Sequence, residues 1–156
     1  MHSENSIHIN ARPERIFEVA SDLSRWPGML PHYRRITYLE RSELKNVVVM
    51  AAWRNLQMLA DTKIPVSWTS EQEIDPKKLE IRFHHLKALT KGMRVVWTFT
   101  PIQNGTEVRI VHDLHSSIPV VGRSIVEPIV GNFFVHFIAN QTLQYMKIFI
   151  ENKNGS

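Results

Sequence analysis

The chain has 156 residues, 43% of them hydrophobic and 22% charged, the size and balance of one globular domain built on a single core. It contains no cysteine, which excludes a disulfide framework, thiolate metal sites and a cysteine nucleophile. Lys and Arg number 19 against 15 Asp and Glu, for a net charge of +4, but the densest basic pairs (Arg34–Arg35 and Lys77–Lys78) are short and far apart, so no nucleic-acid partner is expected.

No run of 18 apolar residues occurs, so no integral membrane association is expected. The opening MHSENSIHIN is polar and lacks the basic-then-apolar build of a secretory signal, which points to a cytoplasmic protein. Ser6–Asn10 alternates as a short strand. A helix follows, opened by Pro13 in its first turn and carried by Ile16, Val19, Ala20 and Leu23 at helical spacing. A second short helix is expected over Leu23–Met29, limited by Pro27 and Gly28.

The middle of the chain reads as a meander. Tyr33–Glu40 and Asn46–Trp53 are rich in β-branched and aromatic residues and are separated by a polar turn. A third strand lies within Leu59–Ile74, a turn at Asp75–Lys78 follows, and Leu79–Leu86 alternates again. Met93–Thr100 runs from Gly92 to Pro101, and Asn104–Gly105 is the strongest hairpin signal ahead of a last strand, Glu107–Leu114. From Ile129 to Ile150 the period changes to that of one long helix. Its polar stripe carries Asn132, His136, Asn140, Gln144, Lys147 and Glu151, and the opposite side carries Phe134, Ile138, Thr142, Tyr145 and Phe149. The expected architecture is α+β: a curved seven-stranded antiparallel sheet, two short helices after its first strand, and a long C-terminal helix laid on it. Residues 1–151 form the single domain and 152–156 a disordered tail.

Period-2 alternation assigns the faces. Met93, Val95, Trp97 and Phe99 share one side of their strand, and Val108, Ile110, His112 and Leu114 the inner side of the last. Val66, Trp68, Ser70, Gln72 and Ile74 lie together, as do Leu79, Ile81, Phe83 and His85. Inward faces therefore mix large apolar groups with Ser70, Gln72, His85 and His112. Such a mixture is either a satisfied internal network or a cavity with polar fixtures, since a closed core disfavours unpartnered polar groups.

No P-loop, GxGxxG, GxSxG or HExxH motif occurs, and no cofactor is implied. Eight histidines raise the question of a metal, but His84 and His85 point to opposite faces, His112 and His115 are out of phase, and no metal site is expected. Of the four tryptophans, Trp26, Trp53, Trp68 and Trp97, two are expected to be plain packing.

The opening SIHINARPERIFEVASDLSRWPGMLPHYRRI resembles the start of the START-like (Bet v 1-type) superfamily, and within it the polyketide cyclase/dehydrase family with its aromatase/cyclases. Asp22, Trp26–Pro27, Tyr33, the strand around Trp97, Gly105 and the final helix support the resemblance over nearly the whole chain. It implies a helix-grip fold with a deep pocket between sheet and helix. It further implies a hydrophobic small molecule as ligand (a polyketide, quinone or lipid) and an acyl carrier protein as macromolecular partner. The family's pocket tyrosine corresponds to Tyr33 and its strand serine to Ser70. Its strand arginine corresponds to Gln72, its helix asparagine to Thr142, and a second basic pocket position to His85.

Two readings of function follow. In the first, the chain is an aromatase/cyclase that promotes aldol closure and dehydration of a poly-β-ketone, with His112, His85, Gln72, Tyr33 and Ser70 as catalytic candidates. In the second, it binds or carries a hydrophobic molecule without chemistry; a third, weaker one is an interaction protein with a vestigial pocket. The expected walls are Trp26, Trp68, Phe83, Met93, Val95, Trp97, Phe99, Ile110, Phe134, Ile138, Thr142 and Tyr145, in a monomer or homodimer. Ser116–Pro128, broken by Pro119 and Gly122, is expected to form a portal beside Met29–Tyr33. Arg34, Arg35, Lys91 and Arg123 are the cations expected near its mouth. For His112 the alternative to acid–base chemistry is a tie from sheet to helix through Thr142, Gln141 or a backbone carbonyl.

Overall fold

The computed structural model describes residues 1–55, 63–115, 128 and 131–154. Its seven strands are β1 (His2–Ile9), β2 (Tyr33–Arg41), β3 (Lys45–Asn55), β4 (Lys63–Asp75), β5 (Glu80–His85), β6 (Arg94–Ile102) and β7 (Gly105–Asp113). They form one antiparallel sheet in the order β1-β7-β6-β5-β4-β3-β2. Helix α1 (Pro13–Ser21), a 3-10 turn (Leu23–Arg25) and α2 (Trp26–Met29) cross between β1 and β2. The C-terminal helix opens as a π-helical segment, Gly131–Ala139, and continues as α3, Asn140–Asn154. This is the helix-grip arrangement that the resemblance implies. The helix continues past the expected boundary at residue 151.

Local chemistry explains these limits. Pro13 starts α1 where a missing N–H is harmless, and Ile16, Phe17, Val19 and Ala20 bury its inner face. Asp22 ends it and caps the next turn, accepting from the Ser24 backbone N–H at 3.1 Å. Pro65 is tolerated inside β4 because β5 pairs only with residues 70–75, so the stretch around Pro65 bonds to β3 alone. Register shifts on β2 between Tyr33 and Arg35 and between Tyr38 and Glu40 put the bulges on the sheet's far edge. The inward faces of β4 to β7 consequently keep the register that alternation assigns them.

Two features depart from the sequence reading. In the β6–β7 hairpin Ile102 pairs with Gly105, so the connecting residues are Gln103 and Asn104, one place earlier than expected. Asn104 takes φ +63° and Gly105 +147°, and a Cβ on Gly105 would run into the Ile9 carbonyl oxygen. The second departure is in the C-terminal helix, which opens as a π-helical segment and buries the face through Leu143, Met146 and Ile150 rather than the one through Tyr145 and Phe149. Ile138, Ala139, Thr142, Leu143, Met146 and Ile150 are buried, whereas Tyr145 and Phe149 are half-buried at the flank.

Polar ties hold α3 to β1. Asn5 Nδ2 donates to Asn140 Oδ1 at 2.8 Å, Lys147 Nζ donates to the His8 carbonyl at 2.6 Å, and Glu151 accepts from the Asn10 N–H at 2.9 Å. At the opposite end of the sheet, Gln72 is fully buried. Its Nε2 donates to the Ser21 carbonyl at 3.0 Å, and its Oε1 accepts from Asn46 Nδ2 at 2.9 Å, clamping α1 to β3 and β4.

Gln72→Leu keeps the volume but leaves the Asn46 amide and the Ser21 carbonyl without a partner. At about 1–3 kcal/mol for each orphaned buried group, stability should fall by roughly 3 kcal/mol. Urea unfolding should report this as a lower midpoint with an unchanged slope.

Candidate functional site

The space between sheet and helix narrows to a cavity of about 40 Å³ with predominantly apolar walls. Trp26 from α2 and Trp97 from β6 meet at its floor with ring centroids 5.7 Å apart. Tyr33 packs edge-on to Trp26 at 5.1 Å and to Trp68 at 6.0 Å. Trp68 in turn stacks on the His85 ring at 6.1 Å. Ile138, Ala139 and Thr142 close the cavity from the helix side, and no described lining residue carries a fixed charge. A second, outer hollow of about 170 Å³ lies between Pro31, His32, Trp53, Lys63, Phe137, Gln141 and Tyr145.

Most of the expected wall residues do converge. Trp26, Tyr33, Trp68, Phe83, His85, Val95, Trp97, Ile110, His112, Ile138 and Thr142 all line the inner cavity, and Met50 and Ala139 join them. Ser70, Gln72, Met93 and Phe99 are buried but lie outside that lining. The Ser70 hydroxyl donates to the His84 carbonyl at 3.2 Å, and the Gln72 amide is engaged in the α1 clamp. Phe99 packs edge-on to Phe17 at 5.6 Å, and Met93 bridges the β5–β6 connection through backbone bonds to His85 and Thr90. Tyr145 belongs to the outer hollow, at the flank of the buried face of α3. The side chain of Phe134 and the expected portal, residues 116–127, lie outside the described residues.

Three buried imidazoles stand in or beside the site. Burial, then the neighbouring His112 and His84, pull His85 down to about 3, while its Nδ1 lies 2.9 Å from the Thr90 hydroxyl. Burial lowers His112 to about 4 against the opposing charge of Asp113, and its Nδ1 is buried without a hydrogen-bond partner. His32 is also lowered to about 4 by burial; its Nε2 lies 3.0 Å from Thr142 Oγ1 and its Nδ1 is likewise unpartnered. Burial pushes the Tyr33 phenol far above its ordinary value, and the neighbouring Thr142 hydroxyl opposes that shift. Neutral imidazoles that accept or donate protons, beside a protonated phenol in a dry aromatic chamber, suit chemistry on a carbonyl compound.

Sequence reasoning missed His32. It sits between Pro31 and the first residue of β2, where no alternation assigns it a face. Its only advance signal was proximity to Tyr33. Among the described residues no group of three or more His, Asp or Glu converges in a manner suited to a metal ion. No described helix is long and apolar enough to cross a membrane.

Comparison with known proteins adds the following. A family profile described as polyketide cyclase / dehydrase and lipid transport matches residues 9–137. A protein named putative polyketide cyclase from Streptomyces cyaneus is 30% identical over 114 residues, covering 72% of this chain and 71% of the relative. The granaticin polyketide synthase bifunctional cyclase/dehydratase of Streptomyces violaceoruber is 23% identical over 114 residues, 70% of this chain but only 33% of that longer protein. In three dimensions the crystal structure of the Zhui aromatase/cyclase from Streptomyces sp. R1128 superposes with a TM-score of 0.75. That match covers 98% of this chain and 94% of the other at 18% identity, a likeness of fold.

The imidazoles also set a pH dependence. His32, His85 and His112 have folded-state values below the ordinary 6.5 or so, so the unfolded chain takes up their protons first. Their neutral burial costs nothing in proton linkage above about pH 6.5, and stability is lost as the pH falls from there towards 4. Exposed His2, held up by Asp113 and Glu4, works in the opposite sense at the surface. Thermal unfolding should give a Tm that falls steadily from pH 6.5 to 5, and His112→Gln should remove about one proton of uptake from that slope.

Proposed function

Because the chain belongs to the polyketide cyclase/dehydrase and lipid transport family, we propose that it is an aromatase/cyclase acting on a poly-β-ketone in the Trp26–Trp68–Trp97 cavity. The observation that carries this reading is His112, an imidazole in an aromatic chamber with one buried nitrogen left without a protein partner. A histidine tying sheet to helix would bond to Thr142, Gln141 or a backbone carbonyl, and His112 Nδ1 has no such bond.

Neutral His112 removes an α-proton of the ketone chain, and the resulting carbanion attacks a second carbonyl carbon of the same chain. Tyr33 donates its proton to the oxygen of that carbonyl as the new carbon–carbon bond forms, giving a β-hydroxy ketone. Loss of the hydroxyl as water, with removal of a further α-proton, gives the unsaturated ring. A lowered pKa keeps His112 unprotonated at neutral pH, but it also makes the ring a weak base. The developing enolate offsets that weakness, because an anion beside the imidazole stabilises its protonated form.

The cavity takes only a few waters as it stands, at roughly 10–15 Å³ for each. An apolar cavity needs about 150 Å³ to accept benzene. Ring formation therefore requires helix and sheet to part at Ile138, Ala139 and Thr142. An acyl carrier protein would deliver the chain, and exposed Arg35 and Lys91 suit its acidic surface. Arg34 is held over the Trp53 ring at 5.0 Å, and Arg123 lies outside the described residues. Such an encounter should weaken measurably between 0.05 and about 0.3 M salt in a titration, since exposed charges are screened over about 10 Å at 0.1 M.

A second reading, carriage of a quinone, lipid or other hydrophobic molecule without chemistry, is favoured by the absence of charged groups from the described lining. His112→Gln separates the two, keeping hydrogen bonding while losing acid–base capacity. With a carrier-bound poly-β-ketone, cyclisation should slow by about 10²-fold or more while ligand uptake persists. Unchanged turnover would remove His112 from the mechanism, and uptake without any turnover in the native protein would favour carriage.

A further inference from the structure

We propose that the outer hollow between Trp53, Phe137 and Tyr145 is a second binding site, one that takes a single aromatic ring bearing a carboxylate. This site goes beyond the cyclisation reading and does not depend on it.

Space comes first. The hollow measures about 170 Å³, against about 40 Å³ for the inner cavity. An apolar cavity of about 150 Å³ accepts benzene, so the outer space is the one with room for a ring. The two spaces are distinct. Thr142 lines the inner one and His32 the outer, and Thr142 Oγ1 lies 3.0 Å from His32 Nε2 between them.

The walls suit a flat guest. Phe137, Gln141 and Tyr145 follow at four-residue intervals along the C-terminal helix and share the hollow with Trp53 of β3. Phe137 stands edge-on to the His32 ring with centroids 6.3 Å apart, and Tyr145 lies tilted to it at 6.3 Å. Trp53 is fixed twice. Its backbone N–H donates to the His32 carbonyl at 2.8 Å, and the Arg34 guanidinium lies over its ring at 5.0 Å. Rings held at such angles offer both faces and edges to one further aromatic ring.

The polar groups decide the charge. Lys63 is the one charged side chain among the described walls; it can only donate, and no carboxylate stands with it. Gln141 adds the N–H groups of its amide. His32 is 7% exposed, and with Nε2 against Thr142 its Nδ1 has no partner. Native structures seldom leave a buried polar atom unbonded. A carboxylate can accept from all three groups, with the His32 hydrogen on Nδ1 and the Thr142 hydroxyl donating to Nε2. A cationic ligand would instead meet Lys63, and Arg34 at the Trp53 wall, with nothing to balance them.

The test follows the indole N–H signals of the four tryptophans in the full 15N-labelled chain, because they report the two spaces separately. Trp26, Trp68 and Trp97 line the inner cavity, and Trp53, identified by the signal missing from Trp53→Phe, lines the outer hollow. Sodium benzoate at pH 7 should shift the Trp53 signal with a Kd of about 1 mM, the scale for so few atoms, and move the other three much less. Benzyl alcohol, with the ring but no charge, and acetate, with the charge but no ring, should each bind roughly tenfold more weakly. Lys63 is exposed, so Lys63→Gln reads the charge without disturbing the fold and should weaken benzoate by about threefold. His32→Phe should weaken it by about fivefold or more, and His112→Gln should leave its Kd unchanged. Inner tryptophans that respond before Trp53, benzyl alcohol or acetate binding as well as benzoate, or no Trp53 shift at about 20 mM benzoate would overturn the proposal.

Discussion

The site depends on burial. His32, His85 and His112 are held among tryptophan, tyrosine and phenylalanine rings in surroundings that resist placing a charge on them. The same desolvation keeps Tyr33 protonated. It also strengthens any hydrogen bond that one of these groups makes to a bound oxygen, because little water competes for it. A fixed cation such as arginine on the inner face would need its own counter-charge. Gln72, at the family position of that arginine, is occupied instead by a neutral clamp between α1 and the sheet. No described lining residue brings a fixed charge into this cavity.

The sheet makes this possible by its register. Four successive strands present one face inward without interruption, since the bulges are confined to β2 at the edge. His85 and His112 reach the cavity from β5 and β7 with β6 between them, where Val95 pairs directly with His112. On the far side the helix is pinned through Asn140, Lys147 and Glu151 to β1, so its packing against the sheet is anchored towards its C-terminal half. The wall of the cavity comes from the π-helical segment and the first turn of α3. π-helical insertions are frequent at functional sites because they trade regular hydrogen bonding for local shape.

Much of this was legible in the sequence. Alternation placed Trp97, Ile110, Phe83, His85 and His112 on the inward face, because a period of exactly two survives wherever no bulge intervenes. Hairpin chemistry located the β6–β7 turn to within one residue. What alternation cannot show is depth along a strand. Ser70 and Gln72 share a face with Trp68, yet only Trp68 reaches the cavity, since the others lie where the sheet curls under α1. Helical periodicity failed for a different reason: the face was drawn through Tyr145 and Phe149, whereas Leu143, Met146 and Ile150 at the same period carry the burial, so Tyr145 lies at the flank. His32, outside every regular element, had no pattern to reveal it.

Thr142 shows why a residue outside the pattern matters. The resemblance places a helix asparagine at this position, and a carboxamide carries its donor and acceptor on separate atoms, so it imposes a direction on its neighbours. A threonine hydroxyl imposes none; its single proton follows whichever neighbour binds it more firmly. Thr142 lines the inner cavity, and its Oγ1 lies 3.0 Å from Nε2 of His32, a histidine that lines a different space. A direction that an asparagine would impose from one side chain is left here to the threonine and its histidine neighbour, and burial keeps that histidine neutral.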